Sequence, residues 1–319
     1  MDQIRHEGRS VSVKNKKSCM ARDGVRLFWM TVPLIGLLFL FCYVPLAGWR
    51  YAFFNYKPGL ALSQCEFVGL KYFLLPLSNE VTRKEIFRVV KNTMGMSLLG
   101  LASSIIPMMF AIFLAELRFN RYRKIIQTVT TLPNFISWVL VYSLAFSMFS
   151  VDSGFINNVV RIFQPEFTGI NYLASSSHVW LTMWAYGTWK GLGWSAIMYI
   201  AALGSIDEAL YEAASIDGAG RFQKIWHITI PGLLPTFFVL LLLGIANFLN
   251  TGYEQYFIFQ NAMNKANIET LDLYVYNQGI TGSNISYSTA VGMLKSLISL
   301  VLLFLSNYFS KLIRGESIF

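Results

Sequence analysis

The sequence predicts an all-α integral membrane protein of six transmembrane helices, with both termini in the cytoplasm. Three observations carry that expectation. Only 13% of the 319 residues are charged and 55% are hydrophobic, whereas soluble chains are nearer a quarter charged. Several apolar runs approach the roughly 20 residues that a helix needs to cross a bilayer core. The segments between these runs divide the lysines and arginines fifteen to nine between the two sides, and the richer side is cytoplasmic by the positive-inside rule. The net charge of +9, spread in this way, points to a membrane surface rather than to nucleic acid.

Residues 1–26 read as a basic cytoplasmic tail and 27–319 as the membrane domain. Leu27 to Trp49 is uncharged, too long for a signal-peptide core and followed by no small-residue cleavage site, so it is expected to remain as the first span. Pro33 and Pro45 should loosen its ends. Arg50 to Asn92 is expected to be a polar outer connection carrying a separate amphipathic interfacial helix over Glu80 to Lys91. Its bases, Arg50, Lys57, Lys71, Arg83, Lys84, Arg88 and Lys91, are an exception to the positive-inside pattern. The remaining spans are expected near 93–115, 126–149 (interrupted at Pro133-Asn134), 180–203, 228–248 and 290–308. Polar outer loops should fill 150–177 and 249–288.

Between the fourth and fifth spans lies a polar, small-residue segment, 205–227, whose features continue to Pro235. Ser205, with Glu208 three residues on, matches a capping box for a first short helix. Asp217-Gly218 supplies its stop, because glycine takes the left-handed backbone without a Cβ clash. Ala213, Ala214 and Ala219 leave that helix little bulk, so another surface can approach it closely.

Several chemistries are missing. No G-x-x-x-x-G-K-[S/T] occurs, so the chain should not hydrolyse ATP itself, and neither G-x-S-x-G nor H-E-x-x-H is present. Cys19, Cys42 and Cys65 form neither a disulfide framework nor a metal spacing, and His6, His178 and His227 are isolated. The spans instead offer aromatic, amide and lysine groups. Trp180, Trp184, Tyr186, Trp189, Lys190 and Trp194 cluster in the fourth, and Asn247, Asn250, Tyr253, Glu254 and Tyr256 in or just beyond the fifth. The aromatics suit either an interfacial belt or stacking on sugar rings with Asn and Lys binding hydroxyls. Lys190 either lines a watery cavity or snorkels outward. Lys295 is expected to snorkel. Asn247 and Asn250 share a face if the helix continues that far.

Tyr211-Glu212-Ala213-Ala214-Ser215-Ile216-Asp217-Gly218-Ala219, followed by Ile228-Thr229-Ile230-Pro231, resembles the EAA motif of binding-protein-dependent ABC importer permeases, in its carbohydrate-importer form. Tyr43-Val44-Pro45, Lys91-Asn92-Thr93, the run from Leu132 to Trp138, the run from Trp189 to Trp194, Gly252-Tyr253-Glu254-Gln255 and Thr270 to Tyr276 extend the resemblance to the oligo- and polysaccharide permeases. The aspartate after Thr270 is displaced, a departure expected to concern the outer loop alone. The resemblance implies a type I ABC importer permease fold with a cytoplasmic coupling helix. It also implies a second homologous permease, two ABC ATPase subunits holding ATP and Mg, and an extracytoplasmic solute-binding protein, in a bacterial cytoplasmic membrane. No cofactor is expected on this chain. Tyr211, Glu212, Ala213, Ala214, Asp217, Gly218, Ala219 and Pro231 would then contact the ATPase. Trp184, Tyr186, Trp189, Lys190, Trp194, Asn247, Asn250, Tyr253 and Glu254 would line the substrate path. A stand-alone secondary transporter or channel, or a permease for a non-sugar solute, is the rival reading.

Overall fold

The computed structural model describes residues 14–314, in two units, Met1–Tyr51 and Ala52–Phe319. Arg5 and Arg9 of the expected tail lie outside the described residues. In the first unit, helix α1 (Lys14–Leu38) begins well before Leu27, so the last part of the expected tail is already helical. The winding then changes to a π turn over Phe39–Tyr43 and to 3-10 winding over Val44–Phe53. Pro33 lies within α1 and Pro45 at the second change of winding, where its missing N–H removes a helix hydrogen bond.

The second unit is helical throughout, and its described residues form no strand beyond one isolated bridge between Phe54 and Phe67. Helix α2 (Lys71–Ser78) precedes α3 (Glu80–Ala102), which Asn79 caps by accepting from the Val81 and Thr82 N–H groups. The separate interfacial helix expected over Glu80 to Lys91 is not separate. Nothing at Lys91-Asn92 ends the helix, and α3 runs through to a short interruption at Ser103-Ser104 before α4 (Ile105–Ala115). Two of its basic residues are paired: Lys84 with Glu80 at 2.8 Å and Arg88 with Glu269 at 2.8 Å.

Helix α5 (Asn120–Thr131), a 3-10 turn at Leu132–Phe135 and α6 (Trp138–Phe149) occupy the expected third span. The break falls at the expected Pro133-Asn134, and the two halves are bent by 105°. Helix α7 (Phe155–Phe163) follows, and then α8 (Val179–Leu203). The polar segment holds α9 (Glu208–Ile216) and α10 (Arg221–Lys224), which passes through a π turn into α11 (Ile230–Ala246). The expected fifth span therefore starts seven residues earlier than its apolar sequence, at Arg221. Three short helices, α12 (Glu254–Phe259), α13 (Lys265–Ile268) and α14 (Leu271–Tyr276), precede the long α15 (Ile285–Arg314).

Four stretches among the described residues are long and apolar enough to cross a bilayer: Arg26–Phe53, Glu80–Ala115, Arg221–Ala246 and Ile285–Tyr308. The bent pair is a fifth if its halves form one span. Helix α8 has the length, 25 residues, but its tryptophans, glycines, hydroxyls and Lys190 keep its apolarity below theirs. It is instead the centre of the packing. Its first half joins Val141, Ala145, Tyr256, Phe259 and Leu273 through Val179 and Met183, and its second half joins Met108, Ile112 and Leu233 through Ala196 and Tyr199. Gly193 lets α8 touch the α5 backbone, since a Cβ there would collide with Thr130, the close small-residue contact that membrane helices favour.

The expected polar loop 249–288 contributes part of the core. Ile268, Leu271, Leu273 and Tyr274 are buried. Its backbone is held by α3: Asn92 Nδ2 donates to the Ala266 and Glu269 carbonyls at 2.9 and 3.1 Å, and the Leu271 N–H donates to Thr93 Oγ1 at 2.8 Å. Asn277 Nδ2 completes the surroundings of the Glu269 carboxylate at 2.9 Å. At the start of α15, Ser286 Oγ donates to the Phe54 carbonyl and accepts from the Tyr56 N–H.

Candidate functional site

Two constellations bring together the residues that the sequence singles out. The first is the corner between α9 and α10. Asp207, not Ser205, caps α9, its Oδ1 accepting from the Ala209 N–H at 3.0 Å. The Ser205 hydroxyl turns back to the Ala202 carbonyl at the end of α8 instead, so the expected capping box does not form. The helix ends as expected. Gly218 has φ +79°, the Ala219 N–H reaches back to the Ala214 carbonyl at 2.8 Å, and the Gly218 N–H reaches the Ser215 carbonyl at 3.2 Å. This paired closure is the Schellman arrangement, which needs the left-handed backbone at its glycine. No atom lies near a hypothetical Gly218 Cβ, so backbone conformation rather than space demands glycine.

Glu212, Ala213 and Asp217 are exposed, Ala214 and Ala219 partly so. Around them Ile216, Phe222 and Trp226 are exposed. The corner is nevertheless fixed to the membrane helices. Tyr211 shares a hydroxyl hydrogen bond with the buried Thr229 at 3.0 Å, and Lys224 Nζ donates to Ser215 Oγ. Ile206 packs where Gly232, beside Pro231, has no side chain. Behind the corner is a cavity of about 500 Å³ whose walls include Glu116, Arg123, Glu208 and Glu212.

The second constellation is a cavity of about 550 Å³ between α3, α4, α8 and α12. Trp184 and Trp194 of the expected set line it, beside Ser104, Thr188, Gln255 and Tyr256. A smaller adjoining space of about 300 Å³ is lined by Asn247 and Asn250 and shares Met96, Gly100, Ser104 and Tyr256 with the first. Helix α11 stops at Ala246, so the two asparagines do not share a helix face; a turn joins them, Asn250 Nδ2 donating to Asn247 Oδ1 at 3.3 Å. Neither lining includes an Asp, Glu, Lys, Arg or His. Trp184 Nε1 is buried with no hydrogen-bond partner among the described residues. Gln255 Nε2 donates to the Met183 carbonyl at 2.7 Å, which leaves its Oε1 as an acceptor. Burial, with the charge of Asp272 adding to it, pushes the Tyr256 phenol up to about 12, so it presents a neutral hydroxyl at physiological pH.

The other expected path residues lie elsewhere. Tyr186 packs on Phe259 at 5.0 Å within the core, Trp189 is exposed, and Tyr253 stacks on Tyr276 at 4.8 Å. Glu254 opens α12 and is exposed. Lys190 lines neither of these spaces: its ammonium donates to the Asn134 carbonyl at 2.7 Å and sits 5.4 Å from the Trp138 ring. It therefore satisfies the backbone at the break between α5 and α6. Lys295 does not snorkel. It pairs with Asp272, whose other oxygen accepts from the Gly252 N–H at 2.9 Å, so the displaced aspartate concerns the last span as well as the loop. Met183, Gln255 and Tyr256 are among the cavity residues that sequence reasoning leaves out of the path. Gln255 sits in the Gly252-Tyr253-Glu254-Gln255 run, but nothing in a single sequence says which of the four faces inward.

The profile of the family described as binding-protein-dependent transport system inner membrane component matches residues 107–315. Protein LplB of Bacillus subtilis (strain 168) is 38% identical over 295 residues, 91% of each chain. The polygalacturonan/rhamnogalacturonan transport system permease protein YteP of the same organism is 38% identical over 294 residues, 92% of this chain and 90% of that one. Among solved structures, a chain of the bacterial alginate ABC transporter in complex with alginate pentasaccharide-bound periplasmic protein superimposes with a TM-score of 0.81 at 29% identity, covering 94% of this chain and 99% of the other.

Proposed function

The chain belongs to the family of binding-protein-dependent transport system inner membrane components, and from that membership we propose that it is a permease subunit of an ATP-driven importer of oligosaccharides or polysaccharide fragments. It lies in a bacterial cytoplasmic membrane as six helices with both termini inside, and forms the translocation path with a second, homologous permease. Two ATPase subunits hold ATP and Mg, and an extracytoplasmic binding protein delivers the solute. Relatives named for polygalacturonan, rhamnogalacturonan and arabinooligosaccharide transport support a saccharide cargo. So does the large cavity, whose indole faces, amides and hydroxyls match the CH faces and hydroxyls of a sugar.

The observation that carries the coupling role is the α9 corner, outwardly bare and inwardly fixed. Exposed Glu212, Ala213, Ile216 and Phe222 offer a partner both a charge and apolar surface. Tyr211 and Thr229 transmit any displacement of that surface to the base of α11. ATP binding on the partner then moves the membrane helices, and coupling requires ATP and the loaded binding protein to favour the same outward-facing state.

The test is Gly218→Asp. A side chain at φ +79° costs about 1–2 kcal/mol and opens the corner without touching the membrane helices. Insertion should be unchanged while uptake and substrate-stimulated ATP hydrolysis by the assembled complex are lost. Transport at the unmodified rate would remove the coupling role. For the cavity, Asn247→Ala or Trp184→Phe should change uptake or substrate preference with assembly intact, and uptake unaltered for every saccharide tried would remove the path from this face.

A further inference from the structure

Helix α7 is inside out for a helix exposed to water. Two of its three polar residues, Asn157 and Arg161, turn inward, and the third, Asn158, is exposed at the edge and accepts from Arg161. The Asn157 side chain is fully buried, donating to the Ser150 and Ile170 carbonyls at 2.8 and 3.0 Å and accepting from the Ile170 N–H at 3.1 Å. Arg161 donates to the Val151, Asp152 and Phe167 carbonyls and to Asn158 Oδ1. These bonds fasten the helix to the segments on either side of it. Phe155, Ile162 and Phe163, spaced seven and eight residues apart, share the opposite face and are 60%, 76% and 80% exposed.

The position of α7 says what covers that face. Leu203 and Gly204, at the end of α8, line the same cavity as Glu212, and α8 extends about 37 Å from there at 1.5 Å per residue. Its far end, at Val179 and Met183, packs on Val141 and Ala145 of α6. Helix α7 packs on α6 and begins at Gly154, whose N–H donates to the Ser150 carbonyl just past the end of α6. It therefore lies at the end of the molecule away from the α9 corner, against a helix whose Val139, Leu140, Leu144 and Phe146 are also exposed and apolar. Its bare face has no charge to recognise an acidic or basic partner, because Arg161 is fully engaged on the other side. A partner that docks and leaves would return three large apolar side chains to water in every cycle, whereas lipid beside α6 covers them throughout.

We propose that α7 is a membrane-interface anchor, lying along the outer leaflet with Phe155, Ile162 and Phe163 in the boundary between headgroups and acyl chains. The test uses the full chain with Cys19, Cys42 and Cys65 replaced by serine, in nanodiscs of phosphatidylethanolamine and phosphatidylglycerol. Ile162→Cys, Phe163→Cys and, as the water-facing reference, Glu166→Cys each carry a nitroxide. The ratio of collision with oxygen to collision with a water-soluble nickel chelate should be several-fold higher at 162 and 163 than at 166, both for the chain alone and in the assembled importer. Equal nickel access at all three positions overturns the proposal. Protection of 162 and 163 that appears only on adding the binding protein or the second permease overturns it too, and identifies a protein as the occupant.

Discussion

Asp272 accepts the Gly252 N–H with one carboxylate oxygen and pairs with Lys295 through the other, so one side chain ties the segment after α11, the start of α14 and the last span together. Both partners are largely buried, with 13% and 18% of their side chains exposed. A lysine at mid-helix in lipid costs about 2.5–3.5 kcal/mol, and removing its counter-charge leaves that cost uncompensated. Asp272→Asn should lower the stability of the purified chain by about 3 kcal/mol, read as thermal unfolding in detergent. Pairing Asp272→Leu with Lys295→Met should restore most of it. A single variant as stable as the original would show that the pair is not holding these segments. Lys295 looks solitary in the sequence because its partner is 23 residues upstream, in a segment whose polar composition reads as loop. Lys190 is harder still to read, since its acceptor is a backbone carbonyl freed by a helix break.

Elements whose signals are local were legible. The stop of α9 follows from Asp217-Gly218, and the break in the third span from Pro133-Asn134. What failed were boundaries set by distant contacts. The helix expected to end at Lys91 runs on through Asn92, whose amide donates to the Ala266 and Glu269 carbonyls, and Thr93, whose hydroxyl donates to Val89 within the helix and accepts from the Leu271 N–H. That same contact brings part of the expected outer loop into the core. The Lys91-Asn92-Thr93 and Thr270 to Tyr276 runs, separate points of family likeness in the sequence, meet in the structure. Helix α8 carries the sharpest prediction at this scale. Gly193→Val would drive Cγ atoms into the α5 backbone at Thr130 and Thr131, an overpacking that should cost about 1–3 kcal/mol. Limited proteolysis in detergent should show α5 and the break released first, and Gly193→Ala should give a smaller effect in the same direction. Undiminished protection in the valine variant would mean that the two helices are not in contact.

For the whole molecule, composition gave the membrane class, and the family-like segments spread along the chain gave the family. The cavity was only half legible, because Trp184 and Trp194 face it while Tyr186 and Trp189 on the same helix do not. A helix without a clear apolar stripe gives no means of telling those faces apart. The purified chain in liposomes should move no solute and hydrolyse no ATP until its partners are added; solute flux through the chain alone would favour the stand-alone transporter. The contacts of α3 also have a consequence in time. Arg88 and its carboxylate partner Glu269 are 181 residues apart, and synthesis at 5–20 residues per second separates their arrival by roughly 10–35 s. Throughout that interval Arg88, Asn92 and Thr93 are already made and their partners are not. An arginine and an amide stand without their final partners until the second half of the protein is delivered. A chain that stops short of residue 266 keeps that polar face without its partners permanently.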